Sequence, residues 1–218
     1  MTSARETVFL VDDEPAVRSA LTRLLRAAGF EVKSFGTASQ LLLELQPQPG
    51  PWCLVADLRM PGLNGLELQE ELRRRGLELP IIFISGRADV GSGIRAMKGG
   101  AVDFLEKPVS DVALREAIRK ALEGDRRDRV LKLEEAELRA RAKTLTPRER
   151  EVFALIVTGL LNKQVGAELG ASEKTIKVHR ARVKEKMKAG SLADLVRMAD
   201  RIELTLESVR RQAATEKE

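Results

Sequence analysis

One cysteine, Cys53, stands in 218 residues. Without a second thiol the chain can form no internal disulfide, which fits a reducing compartment. Set within an apolar run, Cys53 reads as a small buried hydrophobe. There is also one histidine, His179, with no second His or Cys near it, which argues against a histidine–thiolate metal centre. No apolar stretch approaches the roughly 20 residues that cross a bilayer. Met1 to Glu6 lack the apolar core of a secretory signal and run straight into a strand pattern. A soluble, cytoplasmic protein with no membrane partner is therefore expected. Internal repeats, low-complexity tracts and a nucleotide-binding P-loop are missing as well.

What the chain does have is charge, unevenly placed. Residues 1–120 hold sixteen basic and sixteen acidic side chains, and residues 121–142 hold six of each. The net +5 therefore lies wholly in residues 143–218, with seven basic and two acidic side chains between Ser172 and Lys188. A local excess of this kind points to a polyanion, nucleic acid before membrane.

The first 120 residues alternate β-rich runs with amphipathic helical ones. Strands are expected at Val8–Val11, Glu31–Phe35, Cys53–Asp57, Pro80–Ser85 and Val102–Glu106. Helices are expected near Pro15–Ala28, Ser39–Leu45, Gly65–Arg75, Asp89–Lys98 and Asp111–Leu122. Pro15 suits a first helical turn, Gly29 a helix end, and Asn64 with Glu67 a capping box. Five βα units imply a parallel sheet covered on both faces, with ligands at the carboxyl ends of the strands. There the sequence places costly groups: Asp12-Asp13-Glu14 after the first run, Asp57 closing the third, Lys107-Pro108 after the fifth. Unpaired buried carboxylates are heavily penalised, so a divalent cation and an anion beside the lysine are called for. Magnesium with a phosphoryl group on Asp57 satisfies both.

Beyond residue 122 the alternation stops. A charged helical connector is expected, in which Leu131, Leu138 and Leu145 are seven apart but too few for a zipper. Thr146-Pro147-Arg148-Glu149 is a capping box opening a helix to about Thr158, ended by Gly159. Asn162–Leu169 forms a short second helix stopped by Gly170. Ser172 caps a third, running through Lys188 and ended by Gly190, and Ser191–Asp194 opens a fourth. A short helix, a glycine turn and a longer basic helix make a helix-turn-helix.

These motifs together resemble the two-component response regulators of the NarL/FixJ family. The signature comprises Asp12-Asp13, Asp57, Met60-Pro61-Gly62, Ser85 and Lys107-Pro108. It continues with Leu145 to Glu149, Asn162-Lys163 and Thr175 to His179. The resemblance implies an α/β doubly wound, flavodoxin-like receiver with strand order 2-1-3-4-5, followed by a small all-α LuxR-type helix-turn-helix domain. Its divisions would be a receiver at 1–122, a helical linker at 123–142, a DNA-binding domain at 143–210 and a polar tail at 211–218.

It further implies that Asp57 takes a phosphoryl group from a sensor histidine kinase. Asp12, Asp13, Asp57 and the carbonyl of Arg59 would hold Mg2+. Lys107 and Ser85 would contact the phosphoryl oxygens, Phe104 would turn inward, and the Lys107–Pro108 bond would be cis. Arg59 and Arg87 stand at the rim, where water approaches the acyl phosphate. Gly91 and Gly93 should soften the fourth helix. Promoter DNA, a homodimer formed on phosphorylation, and RNA polymerase are the further partners implied.

On the basic helix, Ile176, Val183 and Met187 share the packing face. Lys174, Thr175, Lys177, Val178, Ala181, Arg182 and Glu185 point outward or lie at the helix start. Lys177 and Val178 match positions from which the family reads bases. Arg180, Lys184, Lys186 and Lys188 suit phosphates, and His179 suits packing plus a phosphate contact. The expected function is a phosphorylation-switched transcription regulator rather than an enzyme. A binding module without the switch is the competing reading, disfavoured by the complete acidic cluster.

Overall fold

The computed structural model describes residues 5–86, 90–205 and 207–209. The chain divides into two compact units, Met1–Arg129 and Val130–Glu218. The first runs β1 (Thr7–Val11), α1 (Pro15–Ala27), β2 (Glu31–Phe35), α2 (Ala38–Glu44), β3 (Trp52–Asp57), α3 (Gly65–Arg74), β4 (Ile81–Ser85), α4 (Val90–Lys98) and β5 (Asp103–Glu106). Helix α5 (Asp111–Lys143) begins in this unit and ends in the second. The strands form one sheet in the order β2-β1-β3-β4-β5, every pairing parallel. The parallel sheet is the one expected from the alternating pattern, and its doubly wound strand order is the one the family resemblance implies.

Two cores, one on each face, explain why the central strands read as continuous apolar runs. Successive strand residues point to opposite faces. Phe9, Val11, Leu54, Ala56 and Phe83 pack with Leu41, Leu68 and Leu72 of α2 and α3. Their neighbours Val8, Leu10, Val55, Ile82 and Ile84 pack with Leu21, Leu25, Leu114 and Ile118 of α1 and α5. Cys53 is fully buried in the second of these cores, and burial pushes its thiol pKa up.

Local signals set the element ends. Pro15 sits in the first turn of α1, and the Asn64–Glu67 capping box opens α3. Gly65 is required by close approach: a Cβ there would lie 2.8 Å from the Asp57 carbonyl oxygen and 2.9 Å from Leu58 Cα. Helix α4 is described from Val90, so the expected start at Asp89, and Arg87 with it, lie outside the described residues.

Helix α5 departs from expectation. Instead of ending near Leu122 before a separate connector, it continues unbroken to Lys143. No proline interrupts this stretch, and Gly124 alone is tolerated at about 1 kcal/mol. Residues 123–129 contain no apolar side chain beyond Gly124. A polar clasp docks them instead. The buried Asp125 carboxylate accepts the Trp52 N–H at 3.1 Å and Arg129 Nε at 2.5 Å. Arg129 also donates to the Gln48 carbonyl at 2.8 Å and lies over the Trp52 ring, 5.4 Å from its centroid.

The second unit adds α6 (Pro147–Ile156), α7 (Asn162–Leu169), α8 (Glu173–Met187) and α9 (Leu192–Arg201). Leu145, Val152, Phe153, Val165, Ile176, Val183, Met187 and Leu195 form its core. Leu145 and Leu138 are buried while Leu131 is exposed, so the leucine spacing is no continuous seam. Capping boxes at Thr146 and Ser191 and the Ser172 cap open α6, α9 and α8 as expected. Gly170 closes α7 in the left-handed region at φ 62°. The end of α8 differs: Lys188 at φ 56°, not Gly190, takes the left-handed capping position. The bonds Lys188 N–H to Glu185 O and Ala189 N–H to Lys184 O close the helix two residues before the glycine.

Candidate functional site

The carboxyl ends of β1, β3, β4 and β5 converge. Asp12 follows β1 and is fully buried; Asp57 ends β3 at 5 % exposure; Ser85 ends β4, fully buried. Lys107 follows β5, its N–H donating to the Ser85 carbonyl at 2.8 Å, and its peptide bond to Pro108 is cis. The Lys107 ammonium lies 2.6 Å from Asp57 Oδ2, 2.9 Å from Asp12 Oδ2 and 3.3 Å from Glu14 Oε1. The second Asp57 oxygen accepts the Arg59 N–H at 2.9 Å.

Burial pushes the Asp12 carboxyl above its usual range although Lys107 pulls the other way. For Lys107, burial alone would lower the ammonium pKa, but the hydrogen bonds and charges of Asp57 and Asp12 outweigh it and hold it above its usual range. One oxygen from each of Asp12, Asp13 and Asp57 falls within 4.8 Å of the others. Phe104 is half-buried, and a Cβ on Gly93 of α4 would stand 3.9 Å from its ring.

On α8, Ile176, Val183 and Met187 are fully buried, as the helical wheel predicts. Lys174, Thr175, Lys177, Val178, Ala181, Arg182, Glu185 and Lys188 are exposed. Thr175 Oγ1 lies 2.8 Å from Ser172 Oγ, inside the cap. His179 is half-buried, and its Nδ1 is buried without a hydrogen-bond partner. Three of the basic residues have partners within the unit. Arg180 donates to Asn162 Oδ1 at 3.2 Å and Lys184 to the Gly190 carbonyl at 3.0 Å. Lys186 reaches the buried Glu149 carboxylate at 2.6 Å and the Thr144 carbonyl at 3.1 Å.

Comparison with known proteins identifies both units. Residues 8–119 match the response regulator receiver domain, and residues 143–199 match the bacterial regulatory proteins of the luxR family. The chain belongs to the two-component response regulators. Nodulation protein W of Bradyrhizobium diazoefficiens is 48 % identical over 198 residues, 91 % of this chain and 87 % of that protein. Transcriptional regulatory protein FixJ of Rhizobium meliloti is 44 % identical, covering 88 % of this chain and 94 % of that one. The solved structure of response regulator StyR aligns at a TM-score of 0.78 with 43 % identity, covering 90 % of this chain and 99 % of its own.

This response regulator thus joins a receiver carrying a three-aspartate cluster to a DNA-binding-type helical domain, an architecture of phosphorylation-driven transcriptional control. The family assignment makes it a regulator, not an enzyme. Its acidic pocket fits a hard divalent cation. Carboxylate oxygens are the donors such ions prefer, and burial makes the clustered negative charge expensive without one. Among the described residues no helix is long and apolar enough to cross a membrane.

Several contacts had no sequence signal. Glu14 adds a third carboxylate to Lys107, and Arg18 Nη1 donates to the Asp12 main-chain carbonyl at 2.6 Å. Glu149, legible only as a capping-box residue, is also the buried partner of Lys186.

Proposed function

We propose that Asp57 is the phosphoacceptor. An Asp57 carboxylate oxygen attacks the phosphorus of a phosphohistidine on a partner kinase, the P–N bond breaks, and the imidazole departs with the bonding pair. Lys107 supports this reading most strongly: its ammonium, 2.6 Å from Asp57 and 2.9 Å from Asp12, is placed to follow the negative charge onto phosphoryl oxygens. Such transfers depend mainly on positioning and charge neutralisation. Asp12, Asp13, Asp57 and the Arg59 carbonyl are the groups that would hold Mg2+, which when bound supplies that neutralisation. Ser85 donates its hydroxyl to the phosphoryl group, and Phe104 moves inward beneath the glycine-softened α4.

The output reading follows the exposed face of α8. Lys177 and Val178, with Lys174 and Arg182 beside them, contact bases and the adjoining backbone. Thr175, His179, Arg180 and Lys188 face the backbone, Arg180 by way of the α7 start. Lys186, held by Glu149, serves DNA binding by fixing α8 in the unit. The working division is a receiver at 1–122, a helical linker at 123–142 and a DNA-binding domain at 143–210, in the cytoplasm. Because one helix-turn-helix offers few base contacts, two copies act on paired half-sites of a promoter. Phosphorylation promotes that pairing, and RNA polymerase is a further partner at the promoter.

Labelling with a small phosphodonor tests the assignment. Asp57→Asn should abolish the label and keep the fold, and only the wild type should shift toward a dimer in sedimentation with beryllofluoride. Label persisting on the variant would overturn the choice of acceptor.

A further inference from the structure

Asp12 is fixed at every polar atom. Its N–H donates to the Phe35 carbonyl at 3.2 Å, and its Oδ1 accepts the Glu14 N–H at 2.9 Å. Its Oδ2 accepts from Lys107 at 2.9 Å, and its carbonyl accepts Arg18 Nη1 at 2.6 Å. The last contact differs in kind. That carbonyl belongs to the peptide plane joining Asp12 to Asp13, so the guanidinium holds the plane from which Asp13 projects. Asp13 itself is half-buried and contributes the third oxygen of the acidic cluster.

The acidic cluster would attract any cation, so its charge alone does not explain an arginine at this point. Arg18 lies in the opening turns of α1, where the helix dipole disfavours cations. It also stands beside a cluster that fits a divalent cation, whose approach a positive charge opposes. What arginine offers is reach and a rigid planar donor. Thr22 Oγ1 donates to the Arg18 main-chain carbonyl at 2.7 Å, within the helix that carries the arginine.

We infer that Arg18 is a positioning residue for metal binding, orienting the Asp12–Asp13 peptide so that the Asp13 carboxylate meets the ion. The inference rests on the magnesium reading of the cluster. Partners that orient a ligand from outside the coordination sphere typically change metal affinity by about 10–100-fold.

The test measures Mg2+ affinity of the unphosphorylated full chain by calorimetry in wild type, Arg18→Met, Arg18→Lys and Asp13→Asn. Arg18→Met should weaken binding about tenfold even though it removes a repelling charge. Arg18→Lys, which keeps a donor and the charge, should recover part of the loss. Tighter binding in Arg18→Met would show that the arginine acts only by through-space repulsion and would overturn the inference. Unchanged binding would reduce Arg18 to a helix residue and overturn it equally. If Arg18→Met does not fold by circular dichroism, Arg18→Gln replaces it, with weaker binding expected and equal or tighter binding refuting. Asp13→Asn separates the two levels: unaltered Mg2+ affinity there refutes the metal reading itself. Weakened affinity there with none in the arginine variants refutes only the role of Arg18.

Discussion

Replacing Glu149 with glutamine probes what fixes the basic helix α8 in its unit. The carboxylate is 2 % exposed, and its Oε2 accepts both Lys186 Nζ at 2.6 Å and the Thr146 N–H at 2.9 Å. Glutamine keeps an oxygen for the Thr146 cap but removes the charge facing Lys186. Breaking a fully buried pair costs about 3–5 kcal/mol. The lysine side chain is 33 % exposed and retains the Thr144 carbonyl, so part of its solvation survives and about 2 kcal/mol is the appropriate loss.

For a unit of this size that corresponds to a fall in Tm of roughly 10 °C. Thermal unfolding of the full chain by circular dichroism reads the shift, and amide exchange in α6 and α8 assigns it to the second unit. The pH dependence supplies a sign. Burial alone would raise the Glu149 carboxyl pKa, but the Lys186 hydrogen bond and the Thr146 cap outweigh it and hold it below the usual range. A carboxylate whose pKa falls on folding adds stability above its unfolded value, and loses it as the pH drops through the folded value. The wild-type unit should therefore weaken below about pH 4, with that component missing from Glu149→Gln. A Tm within 2 °C of wild type (about 0.5 kcal/mol or less) and unchanged exchange in α8 would refute the reasoning.

Two further tests address the other ends of the switch. Gly65→Ala places a methyl group 2.8 Å from the Asp57 carbonyl oxygen and 2.9 Å from both Leu58 Cα and Phe83 Cε1. It should lower receiver stability by about 1–3 kcal/mol and slow phosphodonor labelling; wild-type melting and labelling would contradict the close packing. Lys177→Ala should reduce discrimination between specific and random DNA by about 1–3 kcal/mol, whereas Lys188→Ala should weaken both alike and flatten the salt dependence. Identical behaviour of these two variants in binding titrations would sink the division of α8.

Much of the receiver was legible because its chemistry interrupts its hydrophobicity. A carboxylate closing Leu54-Val55-Ala56 and a pair of carboxylates after Phe9-Leu10-Val11 have no apolar rationale, and parallel topology brings them together at one sheet edge. The caps at Asn64, Thr146, Ser172 and Ser191 were readable because capping is local. Contacts between distant segments were not. Nothing in the sequence ties Lys186 to Glu149, 37 residues away, or Arg129 to the Gln48 carbonyl, 81 residues away. Those bonds depend on helix placement and rotamer, which periodicity does not encode. The end of α8 misled for a related reason. Gly190 is the residue a sequence argument selects, but the bonds from Lys188 and Ala189 close the helix first.

The clasp at the root of the extended α5 also makes the molecule spectroscopically asymmetric. Trp52 is the chain's single tryptophan, and the chain has no tyrosine. It begins the strand that Asp57 ends, and the Arg129 guanidinium covers its ring. Excitation at the red edge of aromatic absorption therefore addresses the receiver alone, leaving the DNA-binding unit dark. Emission from the intact, unlabelled protein becomes a gauge of the junction where the long helix leaves the sheet, at the opposite end of β3 from the acidic pocket.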